Sequence, residues 1–263
     1  MGKITLIKFL RHDMYRFFIL SLFSLTLVLT VTSCKSDSKE AKKKVLIDPN
    51  TQSEFDNLVS AIDASPASDS SVSLRFENEE FQRKQLSLFR YENIGCTKWI
   101  LEEEKKDGSK RIAQFYFNKG KLFHSNEVTF SETSVYQTNS YYNDKMKGIY
   151  SSERTADNFL ELEKAALKPR DFIGHNFQEC VAMKDATGAY ATNFVELINF
   201  EGIDFIRVGQ KENEGYWTDI IVPEMTDSIK ILEKSKPGKP LKISFKIKTI
   251  NGFDYQVIET ISY

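Results

Sequence analysis

The chain has 263 residues, 41% hydrophobic and 28% charged, with 36 basic and 37 acidic side chains and a formal net charge of −1. A balance this even excludes the basic surface that nonspecific nucleic-acid binding requires. Its 20 Phe and 11 Tyr supply apolar area for one large or two small cores, which excludes a wholly disordered chain.

The first residues have the three parts of an export signal. Lys3, Lys8, Arg11 and Arg16 are basic, Phe17 to Val31 is apolar, and small residues follow; Asp13 is the one acid. Val31-Thr32-Ser33-Cys34 resembles the lipobox of bacterial lipoproteins. A plain anchor or an ordinary secretory signal competes, because the uncharged run to Cys34 reaches the lower limit of a span, about 18 residues. Ser21, Ser24, Thr26 and Thr30 interrupt that run, and a Lys/Ser/Asp-rich segment follows it. The resemblance implies that residues 1–33 are removed, that the Cys34 thiol carries a diacylglycerol, and that the membrane is a partner through this lipid. Lys35-Ser36-Asp37 has no acid directly after the cysteine, which under the enterobacterial sorting rule favours the outer over the inner membrane of the cell envelope.

Residues 34–72 read as the lipidated cysteine, a solvated tether over 35–52 and a short helix. Phe55, Leu58, Val59 and Ile62 recur at helical spacing, with Ser53 as cap and Ser65-Pro66 as stop. Residues 73–168 read as an antiparallel meander ending in a helix. Asp107-Gly108 separates strands Thr97–Glu104 and Arg111–Phe117, and Asn118-Lys119-Gly120 leads into Leu122–Phe130. Phe159, Leu160, Leu162, Glu163, Ala166 and Leu167 predict a helix that begins near Thr155 and stops before Pro169, a seam between domains.

Residues 169–263 are again strand-rich. Strands are expected at Phe177–Met183, Phe194–Phe200, Phe205–Val208 and Tyr216–Val222, then a short helix capped by Thr226 or Asp227. The last hairpin is the clearest element. Leu241, Ile243, Phe245 and Ile247 alternate with Lys242, Ser244, Lys246 and Lys248, and Asn251-Gly252 turns the chain into Phe253–Ile261. This order resembles that of an OB-fold, whose helix lies between its third and fourth strands. The expected class is mainly β (α+β): an antiparallel β-meander with one or two flanking helices, followed by a small OB-like β-barrel.

No catalytic, cofactor-binding or metal-ligating set emerges. Glu102-Glu103-Glu104 cannot converge on one strand, because successive side chains point to opposite faces; the run reads as a solvated hairpin tip. Phe115, Tyr116, Phe117, Tyr136, Tyr141 and Tyr142 read as sheet packing. His124 and His175 lack ligand-spaced partners. Cys96 and Cys180 flank the expected seam and read as buried thiols, with a disulfide as the alternative. Lys242, Lys246 and Lys248 could form a binding face, against the commoner role of lysine as a guard on edge strands. The reading is a membrane-anchored envelope lipoprotein that binds a protein, glycan or lipid without catalysis and without nucleic acid. An inhibitor or immunity-type lipoprotein, or an enzyme without a local motif, are the alternatives.

Overall fold

The computed structural model describes residues 49–210 and 215–263. The expected signal peptide, Cys34 and most of the tether lie outside them. Helix α1 (Pro49–Ala64) belongs to a first unit ending at Pro66. It begins four residues before the expected cap Ser53. Pro49 at its first position has φ preset for a helix and lacks only an N–H that would have no helical acceptor there.

Residues 67–263 form a second compact unit, mainly β as expected. Strands β1 (Asp69–Val72), β2 (Phe81–Tyr91), β3 (Cys96–Lys105), β4 (Lys110–Asn118), β5 (Lys121–Phe130), β6 (Val135–Tyr142), β7 (Gly148–Ala156) and β8 (Lys168–Arg170) form one sheet in sequence order, antiparallel throughout. This is the expected meander. At the β4–β5 turn Lys119 and Gly120 both have positive φ (50° and 77°), the two-residue geometry whose twist matches the flanking strands.

Strands β9 (Phe194–Phe200), β10 (Ile203–Gly209), β11 (Trp217–Ile221), β12 (Lys242–Ile250) and β13 (Phe253–Ser262) form a second sheet in the order β12-β13-β11-β10-β9. Only β11 and β13 run parallel. Asn251 and Gly252, at φ 52° and 83°, make the expected last turn. The sheet is open, so the expected closed OB-like barrel is not found as a continuous ladder. Its two edges meet in a short ladder, where Asn193 bridges Pro240 and backbone bonds join Phe194 to Gly238 and Lys239 and the Leu241 N–H to the Thr192 carbonyl at 2.9 Å.

Two local expectations need correction. The helix expected from Thr155 to Pro169 is one turn, α2 (Phe159–Leu162), capped by the Asn158 side chain on the Glu161 N–H; Thr155 lies in β7. The strand expected at Phe177–Met183 is helix α3 (Gln178–Lys184), with Cys180 and Met183 buried three residues apart on its inner side. A 3₁₀ turn (Gly188–Tyr190) follows. Helix α4 (Asp227–Glu233) sits where expected, after Thr226.

The two sheets share one core across the seam placed at residues 168/169. Leu86, Leu101, Phe115 and Phe117 of the meander cluster with Cys180 and Met183 of α3 and with Ile206, Val208, Ile220 and Ile258 of the second sheet. Residues 73–77 stitch the sheets together. The Ser73 N–H binds the Leu86 carbonyl at 2.8 Å, Phe76 bridges Lys84, and Glu77 exchanges both backbone bonds with Trp217 at 2.8 and 2.9 Å. Phe76, buried between, is 1% exposed.

Because the core is shared, residues 170–263 alone are expected to lose cooperative unfolding in urea, followed by far-UV circular dichroism. A sharp sigmoidal transition in that fragment would show the second sheet to be autonomous. Phe245 is half-buried. Phe245→Ala in the whole chain should therefore cost about 2 kcal/mol, below the roughly 3–5 kcal/mol of a fully buried phenylalanine.

Candidate functional site

Charges of opposite sign are buried together at one place in the meander, apart from Lys98, which is buried elsewhere on β3. In register, Lys84 of β2 faces Glu103 of β3, and Glu103 faces Arg111 of β4, so the sheet alone sets a row of alternating sign on one face. Glu102 and Glu104 point the other way, to Arg83 at 3.3 Å and Lys110 at 3.0 Å. The expected divergence of the three glutamates is thus observed. The solvated tip is not, since Glu103 is 7% exposed. Glu179 from α3 and two tyrosines complete the group.

The Lys84 ammonium uses all three donors: Glu103 Oε1 at 2.5 Å, Glu179 Oε1 at 2.6 Å and the Tyr216 hydroxyl at 3.0 Å. The rings of Phe81 and Tyr216 lie 4.5 and 4.9 Å from it. Arg111 binds Glu103 through Nε and Glu127 through a terminal nitrogen at 2.8 Å. The Tyr190 hydroxyl donates to Glu179, and its ring stacks on Tyr216 at 4.6 Å. Burial alone would raise the Glu103 pKa, but the Arg111 hydrogen bond and the Lys84 charge outweigh it and hold Glu103 below the usual carboxylate range. Burial would lower Lys84, and its two carboxylates hold it up. Burial and the Glu179 carboxylate push the Tyr190 hydroxyl up. Lys84 and Glu103 are thereby held in their ionised forms and Tyr190 in its neutral form.

A second polar cluster lies under the chain 171–177. His175 Nδ1 is 2.7 Å from Ser125 Oγ, the spacing of a nucleophile and its base. Its Nε2 meets Thr138 Oγ1 at 2.8 Å where a triad would place a carboxylate. Ser125 is fully buried. Ser140 Oγ donates to the Ile173 carbonyl at 2.6 Å, and the Ile173 N–H reaches Ser151 Oγ at 3.0 Å. These hydroxyls fasten the covering chain to a polar stretch of β5, β6 and β7; they are structural. Phe172 of that chain packs against Gly148, where an added Cβ would sit 1.9 Å from the ring.

His124 is buried between the rings of Tyr116 (5.4 Å) and Tyr141 (4.8 Å), and its Nδ1 has no hydrogen-bond partner among the described residues. Desolvation, with the nearby His175 and Lys98, lowers its pKa to about 3. Burial lowers that of His175 as well. Cys96 and Cys180 are free and buried, and burial beside Glu179 pushes Cys180 up to about 12, so it is no nucleophile at neutral pH. Among the described residues no group of His, Cys, Asp or Glu is placed to hold a metal ion.

The third feature is a groove of about 710 Å³ with an apolar floor including Leu74, Met183, Leu241 and Phe245, and with Lys184 and Lys242 in its lining. Of the three lysines singled out in the sequence, only Lys242 reaches it. Lys246 pairs with Glu259 at 3.0 Å on an exposed surface, and Lys248 is exposed further along β12. The buried charge row escaped sequence reading because its members come from five segments. The groove's walls, 72–76, 183–186, 191–193 and 240–245, are equally scattered. The chain matches no family model, and no curated protein and no solved structure proves similar to it.

Lys84→Ala leaves Glu103 buried and Glu179 half-buried beside an empty site and should cost about 3–5 kcal/mol in urea unfolding. Lys105→Ala, which breaks an exposed pair with Glu80, should cost no more than about 0.5 kcal/mol. The histidines set an acid limit. Below pH 6.5 the unfolded chain gains protons at His124 and His175 that the folded chain refuses, so stability falls with pH from 6.5 toward about 3. The steepest contribution is about 1.4 kcal/mol per pH unit for each histidine. Glu103, whose folded pKa lies below 4.5, adds a loss only as the pH drops beneath that value. His124→Phe should flatten the dependence between about pH 4.5 and 6.5, as measured by urea midpoints; an unchanged slope would mean that this imidazole is charged in the fold.

Proposed function

We propose that the chain is a lipid-anchored envelope lipoprotein whose folded part binds a partner and performs no chemistry. The observation that carries the reading is Val31-Thr32-Ser33-Cys34 at the end of an export-type segment, with a polar stretch after it. A diacylglycerol on Cys34 contributes about 0.8 kcal/mol of membrane affinity per buried methylene, and two chains give stable anchoring where one does not. The outer membrane is favoured by Lys35-Ser36-Asp37. Among the described residues no helix is long and apolar enough to cross a membrane.

Support for binding comes from how the reactive side chains are used. His175, Ser125, Glu103, Lys84 and Cys180 are all committed to internal partners or to the core, whereas the groove beside β12 presents an open apolar floor. We read β9 to β13 as an OB-like arrangement with incomplete closure. The strand order, the parallel β11–β13 pair and the helix between β11 and β12 support this. The partner is an envelope protein, glycan or lipid, and the balanced charge argues against nucleic acid.

Cys34→Ser should move the protein from the membrane to the soluble fraction of its own host, with circular dichroism unchanged. Mass spectrometry of the parent should show a mature N-terminus at Cys34 bearing a thioether-linked diacylglycerol. Recovery of an unmodified chain starting at Met1 would refute the anchor.

A further inference from the structure

We infer that the outer edge of β12 is a seat for an extended peptide of alternating acidic and apolar residues, added as a sixth strand to the second sheet. The inference rests on the binding reading above and names its site and its class of partner. On one side β12 pairs with β13 from Lys242↔Ser262 to Ile250↔Phe253. On its other side a ladder starts and stops. The Gly238 N–H reaches the Phe194 carbonyl at 2.7 Å, the Phe194 N–H reaches the Lys239 carbonyl at 2.7 Å, and the Leu241 N–H reaches that of Thr192 at 2.9 Å. Residues preceding Thr192 would continue this pairing along β12. They turn away instead into the 3₁₀ turn Gly188–Tyr190, and from Lys242 onward the edge has no strand among the described residues.

The groove opens at this point. Its lining includes Ala191 and Thr192, Lys242, Ile243 and Phe245 of β12, and Val72 at the end of β1. An edge strand offers backbone donors and acceptors at a repeat of about 3.3 Å per residue, which a peptide matches and an acyl chain or a sugar does not. Charge selects among peptides. Lys242 and Lys248 have no carboxylate partner among the described residues, while Ile243, Phe245 and Ile247 alternate with them. A second copy of β12 would set lysine against lysine, which disfavours self-pairing; a strand bringing Glu or Asp opposite the lysines is complementary.

The test uses the full mature chain and a nine-residue capped peptide of alternating Glu and Val, read by fluorescence anisotropy and amide hydrogen exchange. The acidic peptide should bind and slow exchange across residues 242–248. A Lys/Val peptide, and a Glu/Val peptide with Pro at alternate positions, should bind about tenfold more weakly or worse. The Lys242→Glu, Lys248→Glu double variant should lose about tenfold in affinity with its urea midpoint unchanged. Equal binding of the proline peptide, protection confined to another segment, or protection of β12 by phosphatidylglycerol vesicles but not by the peptide would overturn the inference. Failure here leaves the Cys34 anchor standing, and release of Cys34→Ser from the membrane leaves peptide binding measurable.

Discussion

The Lys84 ammonium is the constraint around which the second unit is arranged. Buried without partners it would cost several kcal/mol; with Glu103, Glu179 and the Tyr216 hydroxyl it is satisfied in all directions. Those three acceptors come from a neighbouring strand, from a helix about ninety residues further on, and from the approach to β11. Satisfying one cation therefore specifies where α3 lies on the meander and where β11 enters the second sheet. Apolar contacts could hold the same elements together, but they would tolerate sliding. An ammonium with three fixed acceptors does not.

This also accounts for which parts of the fold were legible in the sequence. Strands β3 to β5 of the meander and the last hairpin announced themselves through short-range signals: alternation, Asp-Gly, Lys-Gly and Asn-Gly at the turns, and their boundaries fall within a residue or two of expectation. The segment 177–183 was misread because Phe177, Val181 and Met183 suit a strand by residue type. The burial of Cys180 and Met183 three residues apart, with Glu179 turned to Lys84, is a helical division of labour. That division is visible only once the partner across the sheet is known. Residues 159–168 erred the other way: the helical spacing was present, yet the chain leaves the helix after one turn to reach β8.

The candidate sites were less legible than the fold, for a physical reason. Glu103 carries the same local signature as Glu102 and Glu104; only the row Lys84–Glu103–Arg111 separates it from them. Ser125, Thr138, Ser140 and Ser151 look like the solvated face of a sheet, and they would be, without the chain 171–177 lying over them. Its one histidine, held between two hydroxyls, spares that polar face the cost of unpaired burial.

The stitch at residues 73–77 has a bearing on how the chain acquires its structure. Six of the meander's strands, β2 to β7, follow one another through short turns, so their pairing closes small loops at little entropic cost and proceeds as each strand becomes available. Glu77 must wait for Trp217, a separation of 140 residues. A chain synthesised from its amino end presents the meander first, with Phe76 and the apolar side of β2 to β4 uncovered until the last five strands arrive. The interval between those two events is when this protein is most exposed to aggregation, and its length is set by the sequence distance between the two halves of a single pair of backbone hydrogen bonds.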